Sequence, residues 1–195
     1  MKYLNQLDHP DIPYPTDAAT AGSRFHDLSI KEAGCGLCSL AMMVDRLTTK
    51  TISLKRLIAL SLKHKANLHP GTDMKILGPV VADLYDLDFS TTNSVKKAMQ
   101  HLKNGGSVIA NVGGDREGYT GVFSHGGHYV LLLSAGKDSI CVLDPSLKEG
   151  KYEEPGREGK VRLDAPFAYC SPELMEKETD NRNPGFYLFS RKEPC

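Results

Sequence analysis

The sequence has no surplus of either charge: 24 Lys and Arg residues are matched by 24 Asp and Glu. Without a basic or acidic excess, nothing draws the chain to nucleic acid or to an anionic membrane surface, and the expected partner is a small molecule or a peptide. No apolar run approaches the roughly 20 residues that span a bilayer. The first residues, Met1-Lys2-Tyr3-Leu4-Asn5-Gln6, also lack the apolar core of a secretion signal. The chain as given is expected to be soluble and not membrane-inserted, cytoplasmic as it stands or secreted if a leader has been removed. Its few thiols suit a reducing compartment. Five cysteines do not make a disulfide scaffold, and an odd number leaves one unpaired unless a second chain is bridged. Internal repeats, low-complexity tracts and composition breaks are absent as well. At 195 residues, the chain is long enough for one domain with a substantial core and too short for two large ones, so residues 1–195 are expected to be a single domain. Nothing in the sequence sets its oligomeric state.

What is present changes character near the midpoint. Residues 1–30 are rich in Pro, Asp, Thr and Ala with little periodicity, which predicts an extended arm over the surface. Four helical patterns follow in the part spanning residues 31–105. The first runs from about Cys35 to Leu47; the second, from Ser53 to Lys63, has a serine N-cap and an apolar stripe. The third begins near Thr72-Asp73 and carries Ile76, Leu77, Val80, Val81 and Leu84 on one side, with Gly78-Pro79 as a kink. The fourth runs from the cap Ser94 to Leu102 and stops at Asn104-Gly105-Gly106. From residue 106 onward β-formers dominate, at residues 107–112, 128–133, 140–143 and 186–189, as strands of a mostly antiparallel sheet. Helices first and strands later is the α+β order, a helical half packed on a sheet around a shared core.

Three segments carry chemistry. In Glu32-Ala33-Gly34-Cys35-Gly36-Leu37-Cys38, a glycine-flanked cysteine opens an apolar helix, where the positive end of the helix dipole and unpaired N–H groups favour a thiolate. In Ser124-His125-Gly126-Gly127-His128-Tyr129-Val130, His128 stands where a glycine loop becomes an apolar strand, so its ring can be held by a rigid scaffold at a cleft. In Cys141-Val142-Leu143-Asp144-Pro145-Ser146, Asp144 ends the next strand, and a short turn at Gly136-Lys137-Asp138 would set it beside His128. A thiol, an imidazole and a carboxylate at the ends of regular elements meet the needs of nucleophilic acyl transfer: Cys35 attacks, His128 moves the proton and Asp144 fixes the imidazole tautomer. The oxyanion needs donors, for which the backbone N–H of Cys35 and the side-chain amide of Gln6 are candidates. No cofactor is called for.

These residues resemble a family. Gly34-Cys35-Gly36 followed by Leu40-Ala41-Met42, then Gly127-His128-Tyr129-Val130, then Leu143-Asp144-Pro145, look like the papain-like bacterial cysteine peptidases related to the domain that trims double-glycine leaders in bacteriocin exporters, in stand-alone form. The order Gln, Cys, His, Asp is that family's order, and the resemblance runs from Gln6 through Asp144, with an echo in Gly185-Phe186-Tyr187-Leu188-Phe189. It implies a papain-like fold, a peptide or protein substrate, a thioester acyl-enzyme, and roles for Cys35 as nucleophile, His128 as base, Asp144 as orienting carboxylate and Gln6 as oxyanion donor. One departure is that Gln6 lies 29 positions before Cys35, whereas exporter-type and plant-type enzymes keep this glutamine only a few residues upstream; stand-alone relatives tolerate a long insertion there.

Other readings of the same residues remain. Cys35-Gly36-Leu37-Cys38 superficially matches a papain signature whose second cysteine is the nucleophile; the register of Ser39-Leu40-Ala41-Met42 favours Cys35. Cys35, Cys38, His125 and His128 have the ligand types of a zinc centre, although Cys38 and His125 are 87 positions apart, against about 12 to 15 in a zinc finger. The Cys-x-x-Cys pair also suggests thiol-disulfide exchange, but no strand leads into it. A papain-like module that binds peptides without turnover is the third alternative. Taken singly, a cysteine at a helix start is often a small buried hydrophobe and an Asp before Pro a turn former. His9, His26, His69 and His125 lie in polar loops and need no role. Residues 113–119, Gly-Gly-Asp-Arg-Glu-Gly-Tyr, suggest a mobile loop over the cleft.

Overall fold

The structure, a computed structural model, describes residues 1–16, 28–68 and 71–192. His26, His69 and Cys195 lie outside the described residues. After a 3-10 turn at Gln6–Asp8, the elements in chain order are α1 (Ile30–Ala33), α2 (Cys35–Leu47), α3 (Leu54–Lys63), α4 (Met74–Leu84), β1 (Leu87–Thr92), α5 (Val95–Lys103), β2 (Ser107–Val112), β3 (His128–Ala135), β4 (Ile140–Leu143), β5 (Arg162–Asp164), β6 (Phe167–Cys170), α6 (Pro172–Thr179) and β7 (Phe186–Arg191).

Local chemistry explains where the helices begin. The α1 turn carries a capping box in which Glu32 and Ser29 satisfy each other's backbone N–H groups. Ser53, Asp73 and Ser94 each accept an N–H of the following turn, capping α3, α4 and α5. Helix α4 runs through Pro79, and Gly78 is the point where the ring of Phe89 in β1 closes on it; a Cβ there would lie 2.7 Å from that ring. Gly105, at a φ of +86°, takes the left-handed position after α5 that glycine adopts without a Cβ clash.

The seven strands form one sheet in the order β1-β7-β2-β3-β4-β6-β5, every neighbouring pair antiparallel. Side chains alternate between two cores. Ile109, Leu131, Leu133, Tyr187 and Phe189 face α2, α3 and α4. Val108, Val112, Val130, Leu132, Phe186 and Leu188 face α5 and α6. The helix-on-sheet expectation therefore extends to three layers, because the fourth predicted helix, α5, packs on the opposite face from α2. Strands covered on both sides read as continuous apolar runs rather than alternations, which is why β2, β3, β4 and β7 are plain in the sequence. At about 1.5–3 kcal/mol per fully buried large apolar side chain, the two cores hold the ends of these strands in place. Those strand ends carry the site.

Residues 1–16, the described part of the N-terminal segment, are partly interior rather than wholly superficial. Tyr14 is fully buried, its hydroxyl 2.8 Å from both Ser61 Oγ and Thr72 Oγ1. Nearer the start, the Gln6 N–H donates to Pro145 O at 2.6 Å and Asn5 Nδ2 to Leu147 O at 2.7 Å, fastening the arm to the loop after β4.

Candidate active site

Cys35 is the first residue of α2, after the cap Gly34. Gly34 cannot supply a side-chain cap, so no side chain caps the first N–H groups of α2. Glycine is needed there, because a Cβ would run into the carbonyl of Ile30. At Gly36 an added Cβ would sit 3.0 Å from Thr72 and 3.2 Å from Tyr129, so the bare backbone lets α2 approach the sheet closely. Cys35 is half-buried, whereas Cys38, one turn on, is completely buried in the core.

His128 opens β3, and Asp144 follows the last residue of β4. The two strands form the expected hairpin, closed by Gly136 N–H donating to Ser139 O at 2.8 Å. His128 Nε2 lies 2.8 Å from Asp144 Oδ1. An ionised carboxylate only accepts, so Nε2 carries the proton in this contact and Nδ1 is the ring nitrogen left free of it, with the Cys35 thiol near enough to act on the ring's charge. Both His128 and Asp144 are buried.

The carboxylate of Asp144 is saturated. Oδ1 also accepts from the backbone N–H of Ser146 at 2.9 Å and lies 3.1 Å from its hydroxyl. Oδ2 accepts from Lys151 Nζ and from the Tyr152 hydroxyl at 2.7 Å. Lys151 is itself buried and donates to Ser146 Oγ at 2.7 Å, while the Tyr3 hydroxyl donates to the Asp144 carbonyl. Ser146 Oγ is 3.0 Å from His128 Nε2 and covers the imidazole–carboxylate pair.

The charges follow from these contacts. Burial opposes ionisation of Asp144, but the charge of Lys151 and the charge and hydrogen bond of His128 outweigh it and hold the carboxyl well below its usual range. Burial lowers Lys151, and the Asp144 charge only partly restores it. Burial likewise disfavours the imidazolium of His128, yet Asp144 and then Cys35 raise it from 6.5 to about 9. At Cys35, burial favours the neutral thiol, but the hydrogen bond and charge of His128, with backbone N–H groups of Tyr129 and Gly36, bring it down. Cys38 has no such partner and burial pushes it up to about 12. The arrangement favours a Cys35 thiolate beside a His128 imidazolium.

Gln6 is buried at the rim of the same cleft, where Nε2 donates to Lys31 O at 2.8 Å and Oε1 has no partner. One N–H of the amide is thus committed and one is unassigned. The cleft, of about 670 Å³, is lined by Gln6, Cys35, His128 and Ser146 together with Thr72, Asp73, Asn111, Tyr129, Asn181, Arg182 and Tyr187, among others.

Three of the four sequence-predicted residues, Gln6, Cys35 and His128, therefore border one cleft, and the fourth, Asp144, is buried behind the His128 ring. The four zinc-ligand candidates do not converge: His125 is exposed and bonded to Asp115 (2.8 Å) and Glu154 (3.2 Å), and no group of three or more metal-ligating side chains occurs among the described residues. The zinc reading is withdrawn, because His125 turns to the 115 and 154 loops while His128 turns to Asp144. Nor do residues 113–119 cover the cleft as expected. They are tied to α6 and its following turn, by Arg116 to Asp180 at 2.8 Å and Tyr119 to Glu178 at 2.6 Å, and none of them lines the cleft. Missed altogether were Tyr3, Ser146, Lys151, Tyr152 and Arg182. Ser146 sits one residue past Asp144-Pro145, where an Asx-type turn is a readable signal; a lysine in the polar loop 147–156 gives no sign that it is buried.

No family model and no curated protein matches the sequence. Solved structures do match. A chain from Bacillus anthracis described as a C39-like peptidase aligns with a TM-score of 0.58 at 14% identity, over 84% of this chain and 91% of that one. The peptidase domain of Streptococcus ComA, a bifunctional ABC transporter of a quorum-sensing pathway, aligns with a TM-score of 0.53 at 13% identity, over 93% and 98%. Among the described residues no helix is long and apolar enough to cross a membrane. With its antiparallel sheet and the cysteine-bearing helix packed against it, the chain has the papain-like fold of the C39-like peptidases.

Proposed function

We propose that residues 1–195 act as one papain-like cysteine peptidase domain that hydrolyses amide bonds of a peptide or protein substrate. The observation that carries this reading is the buried His128 ring, bonded to Asp144 and lining one open cleft with the Cys35 thiol, which stands at a helix start. The Cys35 thiolate adds to the substrate carbonyl carbon, and the oxyanion is received by the unpaired N–H groups at the start of α2 and by the free amide N–H of Gln6. His128 gives its Nδ1 proton to the departing amine as the C–N bond breaks, leaving a thioester on Cys35. It then takes a proton from water, whose oxygen attacks the thioester and restores the thiolate. Asp144 holds the ring orientation and charge throughout.

The test has two parts. A thiol-directed electrophile at neutral pH should label Cys35 faster than any other cysteine, and the rate should fall when His128 is replaced by Ala. A peptide library should be cleaved by the wild type and not by Cys35→Ala. Labelling without cleavage would leave a peptide-binding module in place of a peptidase; equal reactivity of Cys35 and the remaining cysteines would remove the activated thiol itself.

A further inference from the structure

Arg182 borders the cleft, half-buried. It follows α6, with its backbone N–H closing a turn onto Thr179 O at 3.0 Å, and its Nη2 donates to Gly113 O at 3.2 Å. Gly113 succeeds Val112, the residue of β2 that pairs with His128. On the other side the guanidinium rests against Gly127, immediately before His128, where a Cβ would lie 2.6 Å from Nη2. The side chain is therefore held between the Gly113 carbonyl and the backbone of Gly127, in space that the missing Cβ of Gly127 leaves free.

Among the described residues its charge has no counterpart. Three arginines of the described residues have a buried guanidinium nitrogen with no acceptor: Arg116, Arg157 and Arg182. Arg116 pairs with Asp180 at 2.8 Å and Arg157 with Glu154 at 2.6 Å, whereas Arg182 has no ion pair among the described residues. The two carboxylates of the cleft lining, and the buried Asp144, are engaged with other groups. Glu32 accepts from the Ser29 N–H and hydroxyl, both at 2.6 Å; Asp73 caps α4 by accepting from Lys75 N–H at 2.8 Å; and Asp144 is neutralised from within by Lys151. A partly desolvated cation with spare donors gains from a carboxylate that replaces water, and a guanidinium does so bidentately.

We propose that Arg182 is a specificity-determining residue, which receives a carboxylate of the peptide substrate next to the cleaved bond, either an acidic side chain or a C-terminal α-carboxylate. This rests on the peptidase reading above. Asn111 and Asn181 line the same cleft with neutral amides, while its carboxylates, Glu32 and Asp73, are the ones engaged with Ser29 and the start of α4.

The experiment uses degenerate peptides with Glu, Gln or Lys fixed in turn at each of the three positions on either side of the cleaved bond, as free acids and as C-terminal amides, digested by wild type, R182Q, R182K and R182E and read by mass spectrometry. The expected wild-type result is about a tenfold preference for Glu over Gln at one position. That preference is lost in R182Q, partly kept in R182K and turned towards Lys in R182E. A preference for the free acid over the amide instead identifies the α-carboxylate. Because the readout is a ratio within each variant, a general loss of activity or of folded protein does not alter it. Cys35-dependent cleavage with no acidic preference, or with one that survives R182Q and R182E, overturns the role of Arg182 while leaving the peptidase reading intact. No Cys35-dependent cleavage of any peptide removes the peptidase reading, and this proposal with it.

Discussion

Replacing Lys151 by Met gives a sharp test of how the site is charged. Lys151 and His128 hold the two oxygens of one buried carboxylate, which sets their charges roughly 6 Å apart. At an effective dielectric of about 20, two like charges at that distance repel by roughly 3 kcal/mol, equivalent to about two pH units. Lys151→Met removes the repulsion and leaves the Asp144 charge to His128 alone. The imidazolium, already at about 9, should then lose its proton at least one unit higher. Nitrogen-15 NMR of the imidazole across pH, with ultraviolet absorbance of the thiolate in parallel, reads both members of the pair directly. Breaking a buried ion pair from one side costs about 3–5 kcal/mol, and the lower end applies here because Tyr152, Ser146 and His128 still serve the carboxylate. The melting temperature should fall by roughly 6–12 °C. Lys151→Arg should keep the His128 titration near its original position. An imidazolium in Lys151→Met that titrates unchanged or lower, in protein that is still folded, would show that Lys151 supports the loop and not the charge balance.

The remaining predictions are independent of that one. Gln6→Ala should lower kcat by about 10²- to 10³-fold while leaving the alkylation rate of Cys35 unchanged; equal losses in both would assign the effect to misplacement of α2. Cys38, fully buried and pushed up to about 12, should resist a thiol reagent at neutral pH, and Cys38→Ala should retain labelling at Cys35 while costing about 1 kcal/mol of stability. Mass-spectrometric mapping that finds Cys38 modified as fast as Cys35 would count against this. The folded state raises His128 from 6.5 to about 9, so its contribution to stability is complete below about 6.5 and is lost as the pH rises through 9. Asp144 is depressed from 3.8, so its contribution is present above that value and disappears as the pH falls below it. Urea melts across this range should therefore show a decline on the alkaline side that is missing in His128→Gln.

Much of this architecture was legible because burial leaves a simple trace. Strands β2, β3, β4 and β7, covered on both faces, are uninterrupted apolar runs; α2 to α5 carry periodicity, and α3 to α5 side-chain caps as well. What escaped lies at the edges. Strand β1, Leu87–Thr92, has one buried residue, and β5 is three exposed residues at the far end of the sheet, so their backbone pairing has no side-chain signature. Helix α6 did leave a trace, the cap Ser171 with Pro172 and Glu173 in its first turn, in a segment where few apolar residues announce a core. At the site, Cys35, His128 and Asp144 were visible because each stands where a glycine or proline marks the end of an element. Lys151 and Arg182 were not, because the burial of one and the missing counter-ion of the other are properties of segments remote in sequence.

Those remote segments explain why a thiolate can exist here. A lone negative sulfur at a half-buried helix start is unfavourable, and an imidazolium beside it is costly in its turn unless a carboxylate stands behind. That carboxylate is itself buried without exposure to water, and burial opposes its charge. Lys151 breaks the regress: with Cys35 negative, His128 positive, Asp144 negative and Lys151 positive, the buried chain of charges sums to zero. The loop that carries Lys151 is clamped by Arg157, whose Nη1 donates to the Lys151 carbonyl at 3.4 Å and whose Nε donates to the Gly121 carbonyl at 2.8 Å. The arm holds the neighbouring loop through Asn5, Gln6 and Tyr3. The distant N-terminal residues and the loop 147–157 thus hold in place the carboxylate that faces His128.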